Sequence, residues 1–171
     1  MLELYRRRPD LVATLIMIDT YAGWKGSLPA EEVRARVAGA RRMLHAPPDR
    51  LDPTFPGLFA SDPPAHFVST LAAIAGDVRP DTLGRQLTLM AEADYRDLLP
   101  RIAVPTLLVW GKLDVRSPLS VAHQFDEAIP DTELVVIEGA GHMSNLERPE
   151  QVNQAVREFC RLHSRRSGQS H

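Results

Sequence analysis

A single cysteine, Cys160, is all the sequence contains, so no disulfide can close within the chain and a disulfide-stapled scaffold is excluded. A reducing cytoplasm fits that usage. No apolar run approaches the roughly 18–20 residues of a membrane span. No secretory leader pattern opens the chain: Arg6-Arg7-Arg8 follows the first apolar residues, and Pro9-Asp10 interrupts before the next run. Neither sign of charge dominates. Twenty Lys and Arg face 22 Asp and Glu, a formal net charge of -2, which argues against nucleic acid or an anionic membrane as the main partner. The basic run at 161–166 reads as a helix end, where the macrodipole is negative, followed by a frayed tail. Repeats and low-complexity blocks are absent. Cys160 and His163 are three apart and could share a helix face, but a lone pair of that kind is a weak metal signal, and packing beside Phe159 is the expected role of the cysteine.

What is present is an ordinary globular composition, 44% hydrophobic and 25% charged, over 171 residues, enough for one domain with a real core. Residues 1–8 read as a helix end stopped by Pro9. Residues 11–18 form a near-continuous apolar run that suits a buried parallel strand, ending at Asp19. A loop with Gly23, Gly26 and Pro29 follows, and Ser27 or the Pro29 region opens a helix over 30–44. That helix has Val33, Val37, Ala40 and Leu44 at helical spacing, with Glu31, Glu32, Arg34 and Arg36 outside. Residues 46–64 carry six prolines and read as a long irregular connection, with a short turn at 55–59. Two more helices are expected over 64–75 and 80–93. Then strands at 106–110 and 133–137 alternate with helices at 118–128 and 149–162. Ser117 is the expected N-cap of the first of these, and Val152, Val156, Phe159 and Leu162 form the apolar face of the second. Strands alternating with helices predict an α/β fold with adjacent parallel strands.

Two strand ends carry candidate chemistry. Val135-Val136-Ile137 runs into Glu138-Gly139-Ala140-Gly141-His142, and Thr106-Leu107-Leu108-Val109-Trp110 runs into Gly111-Lys112-Leu113-Asp114. Ligands of open α/β sheets bind beyond the carboxyl ends of the strands. An imidazole there can take a proton from a nucleophile and return it to a leaving group. A buried carboxylate can hold that imidazole in one tautomer. Taken singly, His142 reads equally as a capping residue and Asp114 as a turn residue. Together, one strand–helix–strand unit apart, they predict side chains within about 2.6–3.2 Å of each other. Asp19 is a weaker alternative acid. Trp24 and Met143 are candidate substrate-lining residues. Tyr21, Phe55, Phe59, Phe67, Met90 and Tyr95 form a looser group that could line an acyl pocket, although any one of them is more often core packing. His45, His66 and His123 read as surface or loop residues.

At this point the chain resembles the C-terminal part of an α/β-hydrolase fold protein of the esterase, lactonase and C–C hydrolase type. The matching residues are the run 101–111, then Asp114 and Pro118, then Gly139-Ala140-Gly141-His142 and Asn145-Leu146-Glu147-Arg148-Pro149-Glu150. The resemblance implies Asp114 as the acid and His142 as the base of a catalytic triad. It implies a core formed by 1–28 and 95–163, a helical cap or lid over 29–94, and a disordered tail over 164–171. It also implies an ester-like or acyl small-molecule substrate and chemistry with neither a metal nor an organic cofactor.

The family's Gly-x-Ser-x-Gly elbow is not present in the sequence, and none of the serines at 27, 61, 69, 117, 120 and 144 has its flanking glycines. The expectation is therefore a nucleophile–His–Asp hydrolase whose nucleophile lies before Met1, with this chain inactive alone. A non-catalytic binding module and one half of a two-chain enzyme are the alternatives. The first strand, left without one neighbour, is expected to mediate self-association.

Overall fold

The computed structural model describes residues 1–44, 56–77 and 79–164. The chain divides into two compact units, one built from Met1–Thr20, Gly57–Ser61 and Asp97–His171, the other from Tyr21–Pro56 and Asp62–Arg96. The first holds the sheet. Its strands are β1 (Leu15–Ile18), β2 (Thr106–Gly111) and β3 (Thr132–Ile137), in the order β1-β2-β3. Both pairings are parallel, with Leu15 opposite Thr106 and Thr106 opposite Thr132. All six residues of β2 are buried, as its uninterrupted apolar sequence demands of a strand covered on both faces.

The strand period of two sorts β2 between two cores. Leu107 and Val109 join Ile137, Val152 and Phe159, so this face is covered by the C-terminal helix α8 (Pro149–Ser164). Trp110 points the other way and meets Phe125 of α6 (Leu119–Ala128), with ring centroids 5.9 Å apart. Its indole N–H donates to the Ser117 carbonyl at 2.7 Å, so the large ring is buried without an orphaned donor. The short α1 (Leu2–Arg7) is tied in by Tyr5, whose hydroxyl accepts the Ala103 amide at 2.9 Å, and by the Arg6–Asp97 ion pair.

Several sequence expectations shift. The first strand is shorter than 11–18: Pro9–Leu11 is a 3-10 turn, closed by Arg8 on the Asp10 carboxylate, and Leu11 is exposed. Ser117 does not cap α6; its hydroxyl donates to the Thr20 carbonyl at 2.6 Å, and α6 starts two residues later. Cys160 is exposed, and so is Leu162, because the 3.6-residue period keeps Val152, Val156 and Phe159 inward and turns those two positions out.

The second unit is helical: α2 (Trp24–Ser27), α3 (Ala30–Leu44), α4 (Ala65–Asp77) and α5 (Pro80–Glu92). Ser27 ends α2 instead of opening α3, and its hydroxyl accepts the Ala22 amide at 2.8 Å. Gly23 is obligatory, since φ is +79° and a Cβ would fall 2.0 Å from the Ala93 carbonyl oxygen. Arg36, expected outside, is half-buried, with its guanidinium bonded to Glu32 and donating to the Tyr21 hydroxyl at 2.8 Å. His45, Phe55, most of the Pro-rich connection and the tail from 165 lie outside the described residues. The short α7 (Ser144–Glu147) belongs to the first unit and follows the histidine.

Candidate active site

Asp114 is delivered by the turn after β2. The Lys112 amide donates to Ile137 O and the Leu113 amide to Ala140 O, which fastens this turn to the one after β3. Asp114 is 4% exposed. Its Oδ1 accepts the Arg116 and Ser117 amides, each at 2.8 Å. That leaves Oδ2 directed to the base, 2.9 Å from His142 Nδ1. The carboxylate is therefore pre-oriented by its own turn before it meets the imidazole.

His142 is delivered by glycines. Gly139 has φ +66°, which turns the chain sharply off β3. The next residues then pack on the end of β2 so closely that a Cβ on Gly111 would lie 2.1 Å from Gly141 O. A side chain at 111 would evict the loop. His142 keeps 18% of its side chain exposed. With a proton on Nδ1 donated to Asp114, the acceptor lone pair sits on Nε2, the arrangement a general base needs.

Asp19, the weaker candidate acid, has a different occupation. It sits at the end of β1 with φ +44° and 5% exposure. Oδ1 accepts the Gly111 amide at 2.8 Å, while Oδ2 accepts the Ser144 amide at 3.1 Å and the Ser144 hydroxyl at 2.5 Å. It thus pins the end of β2 and the start of α7 to β1. Burial lifts its carboxyl to about 6. The hydrogen bonds from Ser144 and Gly111 act against that rise, and the nearby Asp114 charge adds to it.

The structure thus brings Asp114 and His142 together. Met143 adjoins them; it is half-buried, and its amide donates to Leu58 O at 2.9 Å. Trp24 belongs to the helical unit. It is 5% exposed there, with the Arg36 guanidinium 5.9 Å from its ring centroid and a buried indole N–H that has no hydrogen-bond acceptor among the described residues. Phe67 stacks on His66, Tyr21 engages Arg36, and Met90 is exposed. His66 and His123 are exposed, as read from the sequence. Among the described residues no cluster of three or more His, Cys, Asp or Glu could hold a metal ion, and no helix is long and apolar enough to cross a membrane.

Sequence reasoning missed one residue, Glu147. Its Oε2 accepts the Gly141 amide at 2.6 Å and its Oε1 the Ala60 amide at 2.8 Å. The only signal was its place in the Asn145–Glu150 motif, which names no partner.

Among the described residues, a three-stranded parallel sheet with helices on both faces and the Asp114–His142 contact beyond two adjacent strand ends is the architecture of an open α/β sheet, a type whose ligands bind beyond the carboxyl ends of the strands. The chain belongs to the alpha/beta hydrolase family, whose model matches residues 2–155. It is 32% identical over 165 residues to a pimeloyl-[acyl-carrier protein] methyl ester esterase of Aromatoleum aromaticum, a match covering 87% of this chain and 64% of that protein. A thermophilic esterase from Thermogutta terrifontis superposes with a TM-score of 0.75 at 31% identity, over 95% of this chain and 61% of that one. An esterase from Exiguobacterium antarcticum gives a TM-score of 0.79 at 21% identity, over 94% and 62%. The chain therefore spans about three-fifths of the length of these solved structures.

Proposed function

We propose that His142 and Asp114 are the base and acid of a nucleophile–His–Asp hydrolase acting on an ester, lactone or related acyl bond. The observation that carries this reading is the 2.9 Å contact from His142 Nδ1 to Asp114 Oδ2, with the other carboxylate oxygen held by two backbone amides. Esterases among the relatives support the substrate class. His142 Nε2 takes the proton of the attacking group, Asp114 steadies the imidazolium that forms, and the proton then passes to the leaving alcohol. The reaction needs neither a metal nor an organic cofactor. Trp24 and Met143 serve as substrate-lining residues, and 29–94 as the cap.

This reading requires a nucleophile and oxyanion donors that the 171 residues do not supply in the family's form. Ser117 and Ser144 already commit their hydroxyls to Thr20 O and Asp19 Oδ2. On this reading the chain alone does not turn over an ester, and a nucleophile has to be supplied to the His142–Asp114 pair. The test is release of nitrophenol from a short-chain ester, by this chain and by the chain extended with the coding sequence preceding Met1. Expected is no turnover above equimolar imidazole for the chain alone, and saturable turnover for the extended protein that His142→Ala removes. Turnover by the chain alone, lost in His142→Ala, would place the nucleophile within these residues. An extended protein that binds an acyl ligand without turnover would favour a binding module. Self-association through the edge of β1 that pairs with no other strand among the described residues is the expected behaviour of the isolated chain. Light scattering that finds a monomer at every concentration would remove it.

A further inference from the structure

Residues 57–61 belong to the same compact unit as the sheet, although the residues on both sides belong to the helical unit. This short strap touches both loops of the acid–base pair. Gly57, with φ +82°, passes the acid loop so closely that a Cβ would lie 2.8 Å from Val115 Cγ2 and 3.5 Å from Arg116 Cγ. Leu58 O accepts the Met143 amide at 2.9 Å. Phe59 and Ala60 lie against the base loop, where a Cβ on Gly141 would be 2.7 Å from Ala60 N and 2.9 Å from Phe59 C. Glu147 closes the arrangement, bridging the Gly141 amide and the Ala60 amide with its two carboxylate oxygens.

The strap is half-buried at Gly57, Leu58 and Phe59 and exposed at Ala60 and Ser61. A backbone segment at the surface ordinarily satisfies its amides with water and keeps its freedom. Here a carboxylate spends one oxygen on the residue before His142 and the other on a residue 82 positions from it. Charge-assisted bonds to backbone amides are about twice as strong as neutral ones and fix direction. The amides flanking His142, those of Gly141 and Met143, are thus both tied, one to Glu147 and one to the strap.

We infer that Glu147 and the strap 57–61 are positioning elements for His142, holding its loop at the distance and angle where Nδ1 meets Asp114. Glu147 does not touch the reacting atoms; it acts through Gly141. The charged groups around the loop are Asp114 and Arg116 on the acid turn, Asp19 at the end of β1, the Lys112–Glu138 pair and Arg148, which donates to Glu147 O and lies against Gly139. The Ala60 amide donates to Glu147 Oε1 at 2.8 Å.

The inference rests on His142 and Asp114 being the working pair, but its test reads the pair and not turnover. Nitrogen NMR of the His142 ring reports which nitrogen carries the proton, and hydrogen exchange reports the Gly141 amide. Three variants of the chain are compared. Glu147→Gln loses one of the two acceptors, because its amide NH2 faces an N–H. Ala60→Pro removes the strap's donor without changing charge, and its ring also restrains the backbone at 59–60 beside Gly141. Glu138→Gln removes a neighbouring charge that makes no bond to the strap. Expected is an Nδ1-protonated ring in the parent chain and in Glu138→Gln. In Glu147→Gln and Ala60→Pro the ring shifts toward the Nε2-protonated form, and the Gly141 amide exchanges at least about tenfold faster, the opening expected for one lost charge-assisted hydrogen bond. A parent ring already protonated on Nε2 would overturn the inference. So would a Glu147→Gln chain that melts earlier yet keeps the parent's ring state and Gly141 exchange while folded. A change in Glu147→Gln alone, with Ala60→Pro unmoved, would remove the strap from the device.

Discussion

Two buried aspartates sit at neighbouring strand ends and do different work. Asp19 ends β1 and Asp114 follows β2; they are 5% and 4% exposed. Asp19 gives both oxygens to anchoring groups, the Gly111 amide and the amide and hydroxyl of Ser144. Asp114 gives only one oxygen to backbone amides and keeps the other for an imidazole. Residue type, burial and position at the sheet are shared, so none of these separates a carboxylate that only anchors from one that meets an imidazole. What separates them is the destination of the second oxygen.

The largest expected effect tests that difference in rate. In the hydrolytically competent protein, Asp114→Asn should lower kcat by about 10³–10⁴, because the imidazole is then held in the wrong tautomer. Asp19→Asn should cost less than about tenfold. Steady-state kinetics of the two variants side by side decide it, and equal losses would erase the distinction.

Stability should show the reverse order. Asp19→Ala leaves the Gly111 and Ser144 amides without an acceptor and should destabilise by about 3–5 kcal/mol in urea titration, at about 1–3 kcal/mol for each orphaned buried group. Asp114→Ala should cost less, because the Arg116 turn is closer to solvent and water can replace one acceptor. A larger loss at Asp114 would contradict the assignment.

A pH series sharpens the comparison further. The Asp19 carboxyl is raised from 3.8 to about 6 in the folded chain. Between these values the folded state binds more protons than the unfolded one, so the contribution of this group is fully present below about pH 4 and is lost as pH rises through about 6. The loss amounts to about 2–3 kcal/mol. Asp19→Asn should flatten that segment of the stability curve. Parallel curves for parent and variant would show that burial does not penalise its charge.

The smallest effect belongs to the surface. The Lys112–Glu138 pair lies beside both loops but is half to mostly exposed, so Lys112→Ala should change stability by no more than about 0.5 kcal/mol. A larger change in thermal melting would mean that the pair helps to hold the loops.

Much of this was legible in the sequence because its signals are local. β2 announces itself as an unbroken apolar run, and Gly139-Ala140-Gly141-His142 announces a turn that ends in an imidazole. The His142–Asp114 contact could be anticipated because one strand–helix–strand unit separates them. The roles of Asp19 and Glu147 could not be read, because their partners lie far away in the chain: Ser144 is 125 residues from Asp19, and Ala60 is 87 from Glu147. No local pattern encodes a pairing of that range. The boundary of β1 was misjudged for a related reason. Apolar content extends back to Leu11, but Pro9 and the Arg8–Asp10 pair fix a turn there that hydrophobicity alone does not reveal.

Trp110 has an optical consequence. Its ring is fully buried against Phe125, and its N–H is held by the carbonyl of Ser117, whose amide in turn holds Asp114. The indole is thus a built-in fluorophore one residue away from the acid turn. Its emission should sit at the short wavelengths of a dry environment. Any event that loosens the turn, whether a ligand, a substitution or a change of pH, should shift its colour before the sheet itself comes apart.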